Sequence, residues 1–160
     1  NIRVLVRKGR HNQIDGSVSK LLDSERELGF FKSSTYKNFR ENAQDTKIGL
    51  IQALITLKKE GKSVAGYSLP ARAMTLINYV GIDHELVPYI VEQPSSLKLD
   101  KFVPGTRIPV ISNDCLETKK PDYLVVFAWH LKDEILSHLR ERGIKGTCIF
   151  PLPKVEFVEL

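Results

Sequence analysis

Lys62-Ser63-Val64-Ala65-Gly66-Tyr67-Ser68-Leu69-Pro70-Ala71-Arg72-Ala73, running on to Ile82, is the stretch that decides the fold. Its first six residues include the β-branched and small side chains of a short core strand. A turn follows and a helix begins, with Ser68 as the candidate N-cap and Pro70 in the first turn, where its missing N–H costs nothing. Such a turn is expected to direct free backbone N–H groups at whatever lies above the strand end. In an α/β sheet that edge is where phosphates and nucleotides bind.

Downstream, strand-like and helix-like stretches keep alternating. Leu86 to Val91 reads as a second strand, ending at Glu92-Gln93-Pro94. Arg107 to Ile111 is short and extended, and with Pro109 inside it belongs at a sheet edge or in a loop. Asp122 to Ala128 is the clearest buried strand. Lys132 to Arg142 is an amphipathic helix with Ile135, Leu136 and Leu139 inward, stopped by Gly143. Gly146 to Phe150 and Val155 to Val158 complete the set. Strands alternating with helices predict an α/β fold: a small Rossmann-like, three-layer domain over residues 62–160 with a mostly parallel sheet and right-handed crossovers.

Upstream, residues 1–61 read as a strand and a helical connector. Ile2 to Val6 alternates as a short strand, and Gln13 to Leu28 carries a one-sided apolar stripe through Val18, Leu21, Leu22 and Leu28. A longer helix is expected from about Tyr36 to Glu60, with Phe39, Ala43, Leu50, Leu54 and Leu57 on one face and Gly61 as its C′ residue. The two helices bury too little surface to form a domain alone.

Composition narrows the function classes. At 160 residues and 42% apolar content the chain can bury one sizeable core. No apolar run approaches the roughly 20 residues that cross a bilayer. The sequence shows no charged-then-apolar secretory leader, and with Asn1 first and Met74 its only methionine it is expected to be a piece of a longer polypeptide. Cys115 and Cys148 have no CxxC spacing, so neither a disulfide framework nor a zinc site is expected, and a reducing cytoplasm fits. His84, His130 and His138 are too scattered for a metal site or a Ser-His-Asp set, so no catalytic residue and no metal ligand is assigned.

The net charge is +5, and residues 1–62 hold the excess, with 13 Lys+Arg against 7 Asp+Glu. Without an aromatic-interleaved basic patch this does not read as nucleic-acid binding. A solvated helical face and attraction for a nucleotide diphosphate are the other readings. A stand-alone NAD(P)-type dinucleotide domain would need the GxGxxG turn, of which only Gly66 is present, with Glu92 as the acidic residue beyond it. A non-catalytic interaction module is the second alternative.

Four elements together resemble one family. Gly66 to Arg72 with Leu76-Ile77-Asn78-Tyr79-Val80-Gly81-Ile82 is similar to the GYGAPAKG…LLNYCGI element in the C-terminal domain of sugar C-methyltransferases. Val103-Pro104-Gly105-Thr106-Arg107-Ile108-Pro109-Val110 resembles its PGTHIPI element, Pro121 to Ile135 its PDYVLLLPWNFKDEI element, and Phe150-Pro151-Leu152-Pro153 its closing VPIPE. The resemblance implies a three-part enzyme with a zinc-binding domain, an S-adenosylmethionine-binding domain and this Rossmann-like domain. Members transfer a methyl group to a carbon of a nucleotide-linked keto-deoxysugar. A base removes the proton beside the ketone, the enolate is stabilised, and the carbanion attacks the sulfonium methyl. Base and donor belong to the central domain, so no cofactor is expected in this fragment, whose task would be to position the nucleotide sugar. The family's Gly-Ala is Ser68-Leu69 here, its lysine is Arg72, and its Trp-Asn pair is Trp129-His130.

The candidate substrate-binding residues are therefore Tyr67, Ser68, Arg72, Asn78, Thr106, Trp129 and His130. Tyr67 stands at the strand end, as a rim aromatic or a stacking one. Arg72 is in a first helical turn, where a cation is disfavoured by the dipole unless an anion is near. Asn78 reads first as a cap on a backbone group, and Thr106 as part of a turn. Trp129 and His130 follow the strongest strand at its carboxyl end. Asp133 and Glu134 suit the positive end of the helix they open.

Overall fold

A computed structural model describes residues 3–9 and 15–160. The chain divides into two compact units, Asn1–Asn42 and Ala43–Leu160. In the first, α1 spans Gly16–Glu27 and is capped by Asp15, whose carboxylate accepts from the Ser17 N–H at 2.7 Å. Residues 3–6 of the expected first strand are not in a strand, since they have no partner strand to pair with; Ile2 lies outside the described residues, as do Gln13 and Ile14 of the expected helix. The next helix, α2 (Ser33–Lys59), starts in the first unit and continues into the second. Its buried face is Thr46, Leu50, Leu54 and Leu57, while Phe39 stays exposed, contrary to the stripe read from spacing. Gly61, at φ 69°, closes it: the N–H of Lys62 reaches Leu57 O at 2.9 Å and that of Gly61 reaches Lys58 O at 3.1 Å. These two bonds satisfy carbonyls that the helix end would otherwise leave open.

The second unit holds a six-stranded sheet. Its strands are β1 (Val64–Tyr67), β2 (Ile90–Glu92), β3 (Val110–Ser112), β4 (Tyr123–Val126), β5 (Thr147–Phe150) and β6 (Glu156–Glu159). They lie in the order β3-β2-β1-β4-β5-β6, all parallel except β6, which runs antiparallel to β5. Between them run α3 (Ala71–Val80), a tight turn at Asn113–Cys115 leading into α4 (Leu116–Lys119), and a second tight turn at Trp129–Leu131 leading into α5 (Lys132–Glu141).

Alternation along the strands builds a core on each face, which is why both faces need helices. Val64, Val125, Phe127 and Ile149 pack with Leu50 and Leu54 of α2 and Ala73 and Ile77 of α3. Ala65, Tyr67, Val126 and Phe150 pack on the other side with Leu116 and with Ile135, Leu136 and Leu139 of α5. This is the three-layer Rossmann-like arrangement. Gly66 is required where the sheet is tightest, because a Cβ there would sit 2.5 Å from Ile90 Cγ1 and 2.8 Å from Phe127 Cε2.

Two boundaries differ from the sequence reading. The second strand begins at Ile90 rather than Leu86, because Asp83 folds residues 83–87 into a turn, accepting from Glu85 and Leu86 N–H, and Pro88 has no N–H to give a ladder. The segment with Pro109 does supply the sheet's edge strand, but that strand is Val110–Ser112, starting after the proline rather than at Arg107.

Candidate binding site at the carboxyl edge of the sheet

Strand order reverses between β1 and β4, so the crevice beyond their carboxyl ends is the topological switch point of this sheet. The turn that leaves β1 there is more closed than its sequence suggests. Ser68 is not the cap of α3: it lies at φ 62°, left-handed, and the N-cap position falls to Pro70, which makes no side-chain cap bond. The Ser68 N–H bonds Val91 O at 2.9 Å, and the Leu69 N–H bonds Glu92 Oε1 at 2.6 Å. Lys98 Nζ completes the clamp, donating to Leu69 O at 2.5 Å and to Glu92 Oε1 at 3.0 Å. The two amides expected to point at a ligand are therefore consumed inside the fold.

Beside this turn, on the α5 face, lies a cavity of about 750 Å³. It opens where the β3–β4 crossover is short, α4 having only four residues. Tyr67 and Asn113 line it, 8% and 7% exposed. Burial pushes the Tyr67 phenol above its ordinary pKa, opposed by the Arg142 guanidinium and by a hydrogen bond with the Asn113 side chain. Arg142 is itself anchored, donating to Asn113 O at 3.3 Å and Glu117 Oε1 at 3.1 Å. Val91, Ala128 and Ile135 give the cavity apolar walls, and Glu92, Asp114, Glu117 and Glu134 line it with carboxylates.

The candidate residues named from sequence fall in four places. Tyr67 and Ser68 line the cavity. Trp129 and His130 follow β4 in the turn before α5, their rings edge to face at 6.4 Å; Trp129 packs against the cores of both sheet faces and His130 is exposed. Arg72 stands exposed in the first turn of α3, whereas Asn78 and Thr106 meet at another loop. There Asn78 Nδ2 donates to Met74 O at 2.8 Å and Pro104 O at 3.2 Å, and Thr106 Oγ1 bonds Val103 O at 2.9 Å. Both side chains serve the turn that delivers β3. Asn113, Glu117 and Arg142 were not singled out from sequence. Glu92 had a signal, as an acidic residue at the end of the second strand, while Asn113 and Arg142 meet only through folding.

Among the described residues no cluster of His, Cys, Asp and Glu is arranged to hold a metal ion, and no helix is long and apolar enough to cross a membrane. A family model described as the C-methyltransferase C-terminal domain matches residues 1–153. The C-methyltransferase NovU of Streptomyces niveus is 27% identical over 146 residues, 89% of this chain and 34% of that protein. The chain thus spans about a third of the length of the curated relative it matches.

Proposed function

Since this chain belongs to the C-methyltransferase C-terminal domain family, whose model covers residues 1–153, we propose that it is the carboxyl-terminal lobe of an S-adenosylmethionine-dependent enzyme methylating a carbon of a nucleotide-linked keto-deoxysugar. Its task in that enzyme is to position the nucleotide sugar. The observation that carries this reading is the cavity at the switch point, built from Tyr67, Ser68 and the ends of β2 and β4, where open α/β sheets take ligands.

The sulfonium donor supplies the methyl group, and its residues belong to a preceding domain of the same polypeptide, beside a zinc-binding one. Fit supports that division. The Ser68 and Leu69 amides of the turn after β1 are bonded internally, so neither is offered to the donor's carboxylate, and no step of methyl transfer is routed through this chain. What these residues contribute is binding and orientation. Arg72, exposed at the positive end of α3, suits the diphosphate, with Trp129 and His130 at the neighbouring strand end.

Steady-state kinetics of the full polypeptide with a thymidine-diphosphate keto-deoxysugar tests the reading. Tyr67→Phe and Arg72→Ala should each raise KM several-fold with kcat nearly unchanged, the signature of lost uniform binding. Unchanged KM in both, or tight binding of a nicotinamide dinucleotide with none of the sugar nucleotide, would overturn it.

A further inference from the structure

The cavity beside the β1 turn has its usual phosphate-binding devices already spent. The amides of Ser68 and Leu69 are bonded to Val91 O and Glu92 Oε1. The positive end of α5 is offset by Asp133 and Glu134 in its own first turn. Arg142, the one guanidinium in the lining, is held by Asn113 O and Glu117. Four carboxylates line the space, and ion pairs engage two of them, Glu92 with Lys98 and Glu117 with Arg142. Asp114 and Glu134 make no ion pair among the described residues, and a diphosphate would meet their negative charge at close quarters.

The same lining suits hydroxyl groups. Glu92 ends β2, the position from which an acidic residue bonds a ribose hydroxyl in nucleotide-binding sheets. Its side chain is only 10% exposed, and both its bonds fall on Oε1. No buried side-chain oxygen or nitrogen among the described residues lacks a partner, so Oε2, which takes neither of those bonds, keeps access to solvent rather than being sealed in the protein. The Tyr67 phenol and the Asn113 carboxamide add two directional polar groups, and Leu131, 39% exposed where Val91, Ala128 and Ile135 are almost wholly buried, offers apolar surface to a base.

We infer that this cavity binds the nucleoside moiety of the ligand, ribose or deoxyribose hydroxyls on Glu92 and the base against the apolar wall, and holds the diphosphate outside. The inference deepens the proposed positioning role and rests on it only for the source of the nucleoside.

Calorimetry and hydrogen exchange on the full polypeptide test it, with thymidine, adenosine and inorganic pyrophosphate as probes. A nucleoside should bind and slow exchange in segments 64–70, 90–95 and 113–119, and pyrophosphate should leave these segments unchanged. Glu92→Gln, which keeps shape and removes charge, should weaken the nucleoside about tenfold, as for a hydrogen bond to a charged acceptor. Asp114→Asn with Glu134→Gln should let pyrophosphate protect the same segments, since the charge that excludes it is then gone. Pyrophosphate protecting them in the unaltered protein, or no loss of nucleoside affinity in Glu92→Gln and Tyr67→Phe, would overturn the inference. Methylation of a sugar nucleotide without cavity protection would sink this inference and leave the proposed function standing; cavity protection by a nucleoside without such methylation would do the reverse.

Discussion

Two residues apart on the same strand end, Gly66 and Ser68 face opposite demands. Gly66 is where a side chain cannot fit, between Ile90 and Phe127, so Gly66→Ala should destabilise by about 1–3 kcal/mol through overpacking. Ser68 is where a side chain fits poorly with the backbone: at φ 62° an L-residue carries a cost of about 1–2 kcal/mol that glycine avoids. Ser68→Gly should therefore raise stability by up to about 1 kcal/mol, after glycine's greater unfolded-state entropy is set against it. Urea denaturation of the two variants should move the midpoint in opposite directions; a shared direction contradicts the argument. Asp122 supplies a second residue-level prediction. Its carboxylate accepts from the Ser63 hydroxyl at 2.6 Å and the Ser63 N–H at 2.8 Å, which hold its pKa below the usual 3.8. A lowered folded value means that its stabilisation is complete above the unfolded pKa and disappears as pH falls through the folded one. Ser63→Ala should raise the Asp122 pKa, seen by NMR titration, and remove part of that acid-side slope; an unmoved titration would show that the hydroxyl does not hold the carboxylate.

At the scale of elements, Asn78 links α3 to the approach to β3. Its amide spans Met74 O and Pro104 O, and Gly105, at φ 81°, passes so close that a Cβ would collide with Asn78 Oδ1. Asn78→Ala should cost about 1 kcal/mol, because the site is exposed and water can replace the lost partner. The turn at 103–108 should then be cleaved faster by protease while the sheet's circular dichroism stays unchanged; equal cleavage rates would refute the link. The strands and helices themselves were legible where the apolar pattern is strong, as in Tyr123–Val126 and in α5 stopped by Gly143. Three features were not. Asp83 and Pro88 shortened β2 through local bonding that apolar spacing does not report. Pro70 displaced Ser68 from the cap because Val91 O of β2 holds the Ser68 amide and the residue turns left-handed there. The cavity joins Glu92 of β2, Asn113 of the crossover and Arg142 just beyond α5, a relation made by strand order and absent from any spacing along the chain.

For the whole molecule, the two units differ in what holds them. In Ala43–Leu160 a parallel sheet is buried on both faces, with Leu54, Phe127, Leu139 and Ile149 fully enclosed. Each such side chain contributes about 1.5–3 kcal/mol on burial. In Asn1–Asn42 no side chain of α1 is buried; its Asp15 cap and the exposed Arg26–Asp23 pair at 2.7 Å are its visible local supports. An exposed pair of that kind is worth at most about 1 kcal/mol, and a 12-residue helix is marginal in water by itself. Exchange of backbone amides should accordingly be uneven along the chain. Peptides from 16–27 should exchange through local opening at low free energy, whereas amides in Val64–Tyr67 and Tyr123–Val126, paired in the centre of the sheet, should exchange only with global unfolding. Raising urea should therefore accelerate exchange strongly in the two strands and barely in α1, because only the first opening exposes much surface. Equal protection and equal urea dependence in all three segments would show that α1 draws its stability from burial after all.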